Sequence, residues 1–277
     1  MSTPAEFWAT GEYDRIAALI LEMGQVVVAA AGVRAGQRVL DVGAGTGNAT
    51  LPAAATGAEV VGTDITPQLL AVGERAARAR GLDVSWQLAD AQDLPFDDGS
   101  FDVVLSCVGA MFAPDQRATA RELLRVCRPG GTVALGNWTP GGAAGKFFRV
   151  LGRYLPEPGP DAGPPPTAWG VPEHVAELFG DVELRTETRT LDVAFTGPPA
   201  ELCAYYREHF APVILTRAGL DPERAQQLDR DLLQLFTDED FGSPGGPSRY
   251  RYEYLLVLAR APLSPSGRRR GAATAVG

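Results

Sequence analysis

The first half of the chain alternates between short apolar runs and amphipathic stretches. Isoleucine, leucine and methionine recur at helical spacing after Tyr13, which predicts an amphipathic helix near the N-terminus. Further helices are predicted to begin near Gly47, Pro67 and Asp115. The apolar runs between them predict strands at 39–42, 59–62, 84–88, 101–106 and 132–136. Because strands that alternate with helices pair in parallel, the pattern predicts a doubly wound α/β sheet.

The alternation stops after Trp138. Six prolines between Pro156 and Pro166 predict an extended loop, and we expect it to act as a lid rather than a linker, since strands still follow it. The rest of the chain predicts helices at 172–179, 200–210 and 222–236 and strands at 182–195 and 250–258. The residues from 263 onward predict a disordered, solvated tail.

The amino-acid composition indicates which partners and which cellular compartment suit the protein. The 277 residues are 45% hydrophobic, and 34 acidic against 25 basic residues give a net charge of −9. A field of that sign repels phosphate backbones and anionic lipids, so we expect neither a nucleic-acid nor a membrane partner. Cys107, Cys127 and Cys203 lie far apart, which argues against a disulfide framework or a zinc site and favours a reducing cytoplasm. No signal peptide pattern opens the chain, so we expect a cytoplasmic protein.

The strongest chemical signal is a glycine-rich turn after the first strand. Its three glycines let a ligand approach the backbone closely, because no Cβ intervenes; they are Gly43, Gly45 and Gly47. Asn48 stands where the dinucleotide fingerprint has its third glycine. Asp41 ends the strand, and a carboxylate there suits a cation better than a pyrophosphate. S-adenosylmethionine carries an ammonium and a sulfonium, so the turn fits this cofactor better than NAD.

Two further acids follow the next two strands. Asp64 is placed to accept hydrogen bonds from two ribose hydroxyls, a role that NAD and S-adenosylmethionine sites share. Ile65 beside it would pack on an adenine, and Asp90 would accept from the adenine amine. The three acids at successive strand ends therefore converge on the crevice where open α/β sheets bind ligands.

Four segments resemble the successive motifs of class I S-adenosylmethionine-dependent methyltransferases, and most closely the type 11 group that includes the ubiquinone and menaquinone C-methyltransferases. The segments are VLDVGAGTGNAT, VVGTDIT, DAQDLPFDDGSFDVVLS and ELLRVCRPGG, all within 39–138. The resemblance implies a seven-stranded, Rossmann-like sheet with an antiparallel last strand. It also implies an N-terminal segment that folds over the cofactor. The cofactor-binding residues it implies, with those argued above, are Tyr13, Asp41, Gly43, Ala44, Gly45, Gly47, Asp64, Ile65, Asp90, Ala91 and Cys107.

The domain organisation follows from the same resemblance. We predict a single domain over 1–262, with an N-terminal helical cover (1–33) and a cofactor-binding half (34–138). Acceptor-side insertions at 139–181 and 196–248 complete it. The quinone enzymes lack an insertion like the one at 140–166, so their acceptor is not carried over to this chain.

The predicted activity is metal-independent methyl transfer to a small organic acceptor, leaving S-adenosylhomocysteine. The acceptor classes considered are a secondary metabolite, a phenol, a keto acid and a quinone precursor. His209 is the candidate base, with a half-exposed helical histidine as the alternative. Aromatic residues that would wall the acceptor pocket, or simply pack the insertion, are Trp8, Trp138, Phe147 and Tyr206.

Two other functions remain open at this point. A non-catalytic S-adenosylmethionine-binding protein would carry the same cofactor residues. An NAD(P)-dependent oxidoreductase is disfavoured by the missing third glycine and by the absence of a tyrosine four residues before Lys146, the only lysine. We expect a monomer or a homodimer.

Overall fold

The computed structural model describes residues 3–157, 159, 163–243 and 246–263. These residues form a seven-stranded sheet. Its strands are β1 (Arg38–Val42), β2 (Glu59–Asp64), β3 (Val84–Leu88), β4 (Phe101–Cys107), β5 (Cys127–Trp138), β6 (Glu183–Phe195) and β7 (Ser248–Arg260). The spatial order is β3-β2-β1-β4-β5-β7-β6. Strand β7 pairs antiparallel with both β5 and β6, and the other strands share one direction.

The central strands are buried at consecutive positions, as strands covered by helices on both faces must be. The first helices are α1 (Pro4–Trp8), α2 (Tyr13–Ala18), α3 (Leu21–Ala31), α4 (Thr50–Ala54), α5 (Pro67–Ala79) and α6 (Gln116–Val126). Those after the fifth strand are α7 (Ala143–Gly152), α8 (Pro172–Phe179), α9 (Pro199–His209), α10 (Ala211–Ala218) and α11 (Pro222–Glu239). The sheet order and the single antiparallel strand confirm the predicted fold.

Local differences from the predicted elements have local causes. The N-terminal helix is interrupted at Leu19 and Ile20, so that α2 and α3 replace one continuous helix. Strand β5 starts at Cys127 rather than at 132, because the Pro-Gly-Gly segment joins the strand through an irregular register with β4. The predicted cap at Asp115 is present, and its side chain accepts a hydrogen bond from the Ala118 amide at 2.8 Å.

The residues after β5 build a helical layer over the β5–β7 half of the sheet. Phe147 of α7 stacks on Phe236 of α11 with ring centroids 6.2 Å apart, and Tyr206 of α9 meets both rings. The described part of the proline-rich loop contacts the start of α6, where Gln116 donates to the Pro164 carbonyl at 3.0 Å. Residues 158 and 160–162 of the predicted lid, and 264–277 of the predicted tail, lie outside the described residues.

Two further features concern the described residues. None of the helices in that part of the chain has the length and apolarity required to cross a membrane. Nor do those residues bring together three or more His, Cys, Asp or Glu side chains that could hold a metal ion.

Candidate cofactor and acceptor site

The glycine-rich turn approaches the segment after β4 so closely that a side chain has no room. Gly43 has φ of +67°, and a Cβ there would lie 2.7 Å from the Gly109 Cα. Ser106 holds the opposing segment, since its hydroxyl donates to the Val42 carbonyl at 2.6 Å and accepts from the Ala110 amide at 2.9 Å. The two backbones therefore form one rigid floor for a ligand.

The other glycines of the turn have different surroundings. A Cβ on Gly45 would meet only the Tyr13 ring, at 3.7 Å, so this residue faces the space beneath the N-terminal cover. A Cβ on Gly47 would lie 3.0 Å from Leu51 and 3.2 Å from Trp86. Gly47 thus permits helix packing against Trp86 rather than forming a wall of the ligand cavity.

Asp64 is oriented by the backbone around it. Its carboxylate accepts from the Gly45 amide and from the Thr66 amide, both at 2.9 Å. Burial raises the pKa of Asp64, and these hydrogen bonds oppose that rise by favouring the charged form. Asp90 is exposed at the rim, where it accepts from the backbone and side chain of Gln92 at 2.9 Å. Both acids keep free lone pairs toward the crevice.

Asp41 lies behind the turn rather than in its wall. Its side chain is buried, and the Thr50 hydroxyl donates to Oδ2 at 2.6 Å. The other oxygen, Oδ1, has no partner among the described residues. Burial raises the pKa of this carboxyl to about 7, with Thr50 opposing the rise. An unpartnered carboxylate oxygen of this kind is completed by a hydrogen-bond donor, and best by a cationic one.

These elements enclose a cavity of about 150 Å³, here called the glycine-turn cavity. Nine of the eleven predicted cofactor residues line it, and Asp41 and Gly47 do not. The residues brought into its wall that the sequence analysis missed include Thr46, Asn48, Leu69, Gln92, Val108 and Gly109.

Val108 is the least expected member of this wall. It has φ of +56°, the one non-glycine residue with positive φ in the described part of the chain. A β-branched residue in this conformation is strained, and such strain clusters at ligand sites. Its apolar side chain carries no chemical signal in the sequence, so only the backbone geometry reveals it.

A second, smaller space of about 50 Å³ adjoins the first and is here called the aromatic cavity. All four aromatic residues predicted for the acceptor line it: Trp8, Trp138, Phe147 and Tyr206. Both cavities are bordered by Trp8, Tyr13, Ile20, Val108 and Phe112. The N-terminal cover therefore forms part of the boundary between the two spaces.

His209 is not brought to either space. Its ring is buried beside Tyr205, and Nδ1 lies 2.9 Å from Glu12 Oε2 without the alignment of a hydrogen bond. The His209 carbonyl also accepts from the Glu12 amide at 3.0 Å. These contacts tie the N-terminal cover to α9, and the role of His209 as a base stays a prediction.

Comparisons with known proteins agree with this geometry. A profile that describes a methyltransferase domain matches residues 40–135. An uncharacterised protein of Mycobacterium tuberculosis is 40% identical over 263 residues, which are 93% of this chain and 94% of the relative. The chain belongs to the class I S-adenosylmethionine-dependent methyltransferases. It is thus an enzyme whose cofactor is S-adenosylmethionine, and the oxidoreductase alternative is set aside.

Two further comparisons concern parts of this methyltransferase. A demethylmenaquinone methyltransferase of Thermus thermophilus is 43% identical over 128 residues, which are 44% of this chain and 58% of the relative. The crystal structure of a putative methyltransferase from Bacillus halodurans has a TM-score of 0.59 at 23% identity, covering 87% of this chain and 99% of the other. The second likeness supports the fold described above.

Proposed function

We propose that this methyltransferase binds S-adenosylmethionine in the glycine-turn cavity and transfers its methyl group to a small organic acceptor held in the aromatic cavity. The observation that carries the proposal is the shared boundary of the two spaces, which is formed by Trp8, Tyr13, Ile20, Val108 and Phe112. An acceptor in one space would meet the methyl group of a cofactor in the other. The sulfonium supplies an activated methyl group and its own leaving group.

The unassigned polar groups of the glycine-turn cavity match the donors of this cofactor. Asp41 lies behind the cavity wall with its Oδ1 unpartnered among the described residues, so it would attract the ammonium group through its charge rather than by a direct hydrogen bond. Asp64, oriented by two backbone amides, would accept from the ribose hydroxyls, and Asp90 at the rim from the adenine amine. The close approach of Gly43 and Gly109 leaves backbone rather than side chains at the floor.

The protein's contribution to the reaction would be alignment and exclusion of water. A positioned acceptor and methyl group turn a bimolecular displacement into an effectively unimolecular one. Trp8 contacts Phe112 with centroids 4.9 Å apart and Tyr13 at 5.9 Å, so the N-terminal cover closes the reaction space with aromatic surface. The acceptor would enter on the aromatic side, where a secondary metabolite, a phenol or a quinone precursor fits better than a hydrophilic molecule.

Calorimetry with S-adenosylmethionine tests the cofactor half of the proposal. We expect Asp64→Ala to weaken binding about 100-fold, because two charge-assisted hydrogen bonds to the ribose are lost. Asp83→Ala is the matched control, an exposed acid outside the glycine-turn cavity, and should bind as the wild type does. Unchanged binding by Asp64→Ala would contradict the assignment.

Transfer of a labelled methyl group tests the catalytic half. We expect wild-type protein with labelled S-adenosylmethionine to label a small molecule in an organic extract of the cells that produce it. Label that appears only in macromolecules, or no transfer by protein that binds the cofactor, would contradict a small organic acceptor.

A further inference from the structure

Two buried tyrosines that face each other line the aromatic cavity. The hydroxyls of Tyr206 on α9 and Tyr252 on β7 lie 3.1 Å apart, and each is the other's one hydrogen-bond partner among the described residues. Each side chain is less than a tenth exposed. Tyr252 also packs against Trp138, with ring centroids 5.6 Å apart. Tyr206 was predicted from the sequence to line the acceptor pocket, whereas Tyr252 was not.

Two tyrosine hydroxyls carry two O–H donors, and the hydrogen bond between them engages one of these. One hydroxyl donates to the other, and the second O–H remains free to donate to a ligand. Burial raises the pKa of Tyr206 to about 12 and also raises the pKa of Tyr252, so both hydroxyls stay protonated at neutral pH. The pair is therefore a neutral donor and is unsuited to removing a proton.

The rest of the aromatic cavity offers no charge to a ligand. In the described part of the chain its wall is made of aromatic and aliphatic side chains, without a lysine, arginine, histidine, aspartate or glutamate. The nearby cation Lys146 is already paired with Glu239 at 2.6 Å. A carboxylate or phosphate in this space would lose its hydration without gaining a counter-ion, which costs several kcal/mol.

We infer that the aromatic cavity binds an uncharged, largely apolar acceptor, and that the hydroxyl pair of Tyr206 and Tyr252 donates a hydrogen bond to an oxygen of that acceptor. This inference rests on the proposed function and narrows its acceptor. Phenols and carbonyl-bearing rings fit the arrangement, and keto acids do not. The pair acts as a positioning device, because a single directional hydrogen bond in an apolar space fixes how a flat molecule is oriented.

The test uses full-length protein saturated with S-adenosylhomocysteine and three probes that share a methyl-substituted benzene ring: 4-methylphenol, toluene and 4-methylbenzoate. Dissociation constants come from ligand-detected NMR titrations. We expect wild-type protein to bind 4-methylphenol at least tenfold more tightly than 4-methylbenzoate. In the double variant Tyr206→Phe/Tyr252→Phe we expect 4-methylphenol to bind about fivefold more weakly while toluene is unaffected, because one neutral hydrogen bond is lost.

Tyr250→Phe is the matched control. Its hydroxyl is also buried on β7, but among the described residues it has no hydrogen-bond partner, and the residue does not line the aromatic cavity. This variant should keep the wild-type ratio of 4-methylphenol to toluene affinity. Retained binding of toluene and S-adenosylhomocysteine shows that the double variant is folded.

Three outcomes overturn the inference while leaving the proposed function intact. They are failure of 4-methylphenol to bind the loaded wild-type protein, equal binding of the neutral and carboxylate probes, and an equal effect of the double variant on 4-methylphenol and toluene. Failure of S-adenosylhomocysteine itself to bind overturns the proposed function, and this inference with it.

Discussion

Gly43→Ala is expected to lower the free energy of unfolding by about 3 kcal/mol and to abolish measurable binding of S-adenosylmethionine. Two costs combine at this position. A left-handed conformation costs an L-residue about 1–2 kcal/mol, and φ here is +67°. The new Cβ would also lie 2.7 Å from the Gly109 Cα, and relieving such overpacking costs about 1–3 kcal/mol. Urea denaturation and calorimetry measure the two effects.

Two matched variants separate these costs. Gly36 has φ of +76° but no atom within 4 Å of its absent Cβ, so Gly36→Ala should cost about 1–2 kcal/mol and leave cofactor binding unchanged. Gly109→Ala introduces the contact with Gly43 from the other side at an ordinary φ of −107°. It should weaken binding despite the absence of backbone strain. Equal stability for Gly43→Ala and Gly36→Ala would show that the close approach has no energetic consequence.

The sheet and the cofactor residues were predictable because their signals are local. The glycine turn after β1, the acid that ends β2 and the acid two residues after β3 specify both a turn and its position at the carboxyl edge of the sheet. The family motifs cover the same stretch. Nine of the predicted residues therefore line one cavity, although their assignment to parts of the cofactor stays a prediction.

The rest of the site depends on contacts between distant segments. Tyr252 became part of the aromatic cavity because β7 inserts between β5 and β6. A glycine is required at position 109 because the backbone of Gly43, which is distant in sequence, leaves no room for a Cβ there. His209 has the chemistry of a base, but a pattern cannot show that its ring is enclosed beside Glu12.

The helix α7 is a different case, because apolar periodicity in the sequence already indicates it. Apolar residues at 143, 144, 147, 150 and 151 follow helical spacing, and all of them are buried in the structure. The predicted loop covers only Pro156 to Pro166, and no element was predicted for 139–155. The periodicity over these ten residues nevertheless predicts the helix.

Asp41→Asn is expected to stabilise the free protein and to weaken S-adenosylmethionine binding about 30-fold. Burial raises the pKa of Asp41 from 3.8 to about 7, so the folded protein holds this proton more tightly than the unfolded chain. The contribution of Asp41 to stability is therefore fully present below pH 4 and is lost as the pH rises through about 7. Above that pH the charged carboxylate costs the wild type at most about 4 kcal/mol, at 1.36 kcal/mol for each pKa unit.

Asparagine carries no such cost and still accepts from the Thr50 hydroxyl, as Asp41 Oδ2 does at 2.6 Å. The urea denaturation midpoints of the wild type and of Asp41→Asn should therefore coincide near pH 4. At pH 8 they should differ, with Asp41→Asn more stable by about 2–4 kcal/mol. The charge of Asp41 acts on the ammonium group from behind the cavity wall, where one charge pair is worth about 2 kcal/mol, and this corresponds to the expected loss of affinity.

The pH dependence of binding distinguishes a charge at Asp41 from a merely structural role. A cationic ligand favours the ionised carboxylate, so wild-type affinity for S-adenosylmethionine should rise through pH 7, and the Asp41→Asn variant should lack that rise.

Asp102→Asn is the control, because its pKa is shifted in the opposite direction: the Arg38 amide and Arg128 lower the pKa of Asp102. It should destabilise the protein at neutral pH and leave cofactor affinity unchanged. A variant at Asp41 that is both less stable at pH 8 and unaltered in affinity would show that the buried carboxylate serves the fold. The combination expected here, greater stability with weaker binding, is the signature of a charge kept in the interior for a ligand.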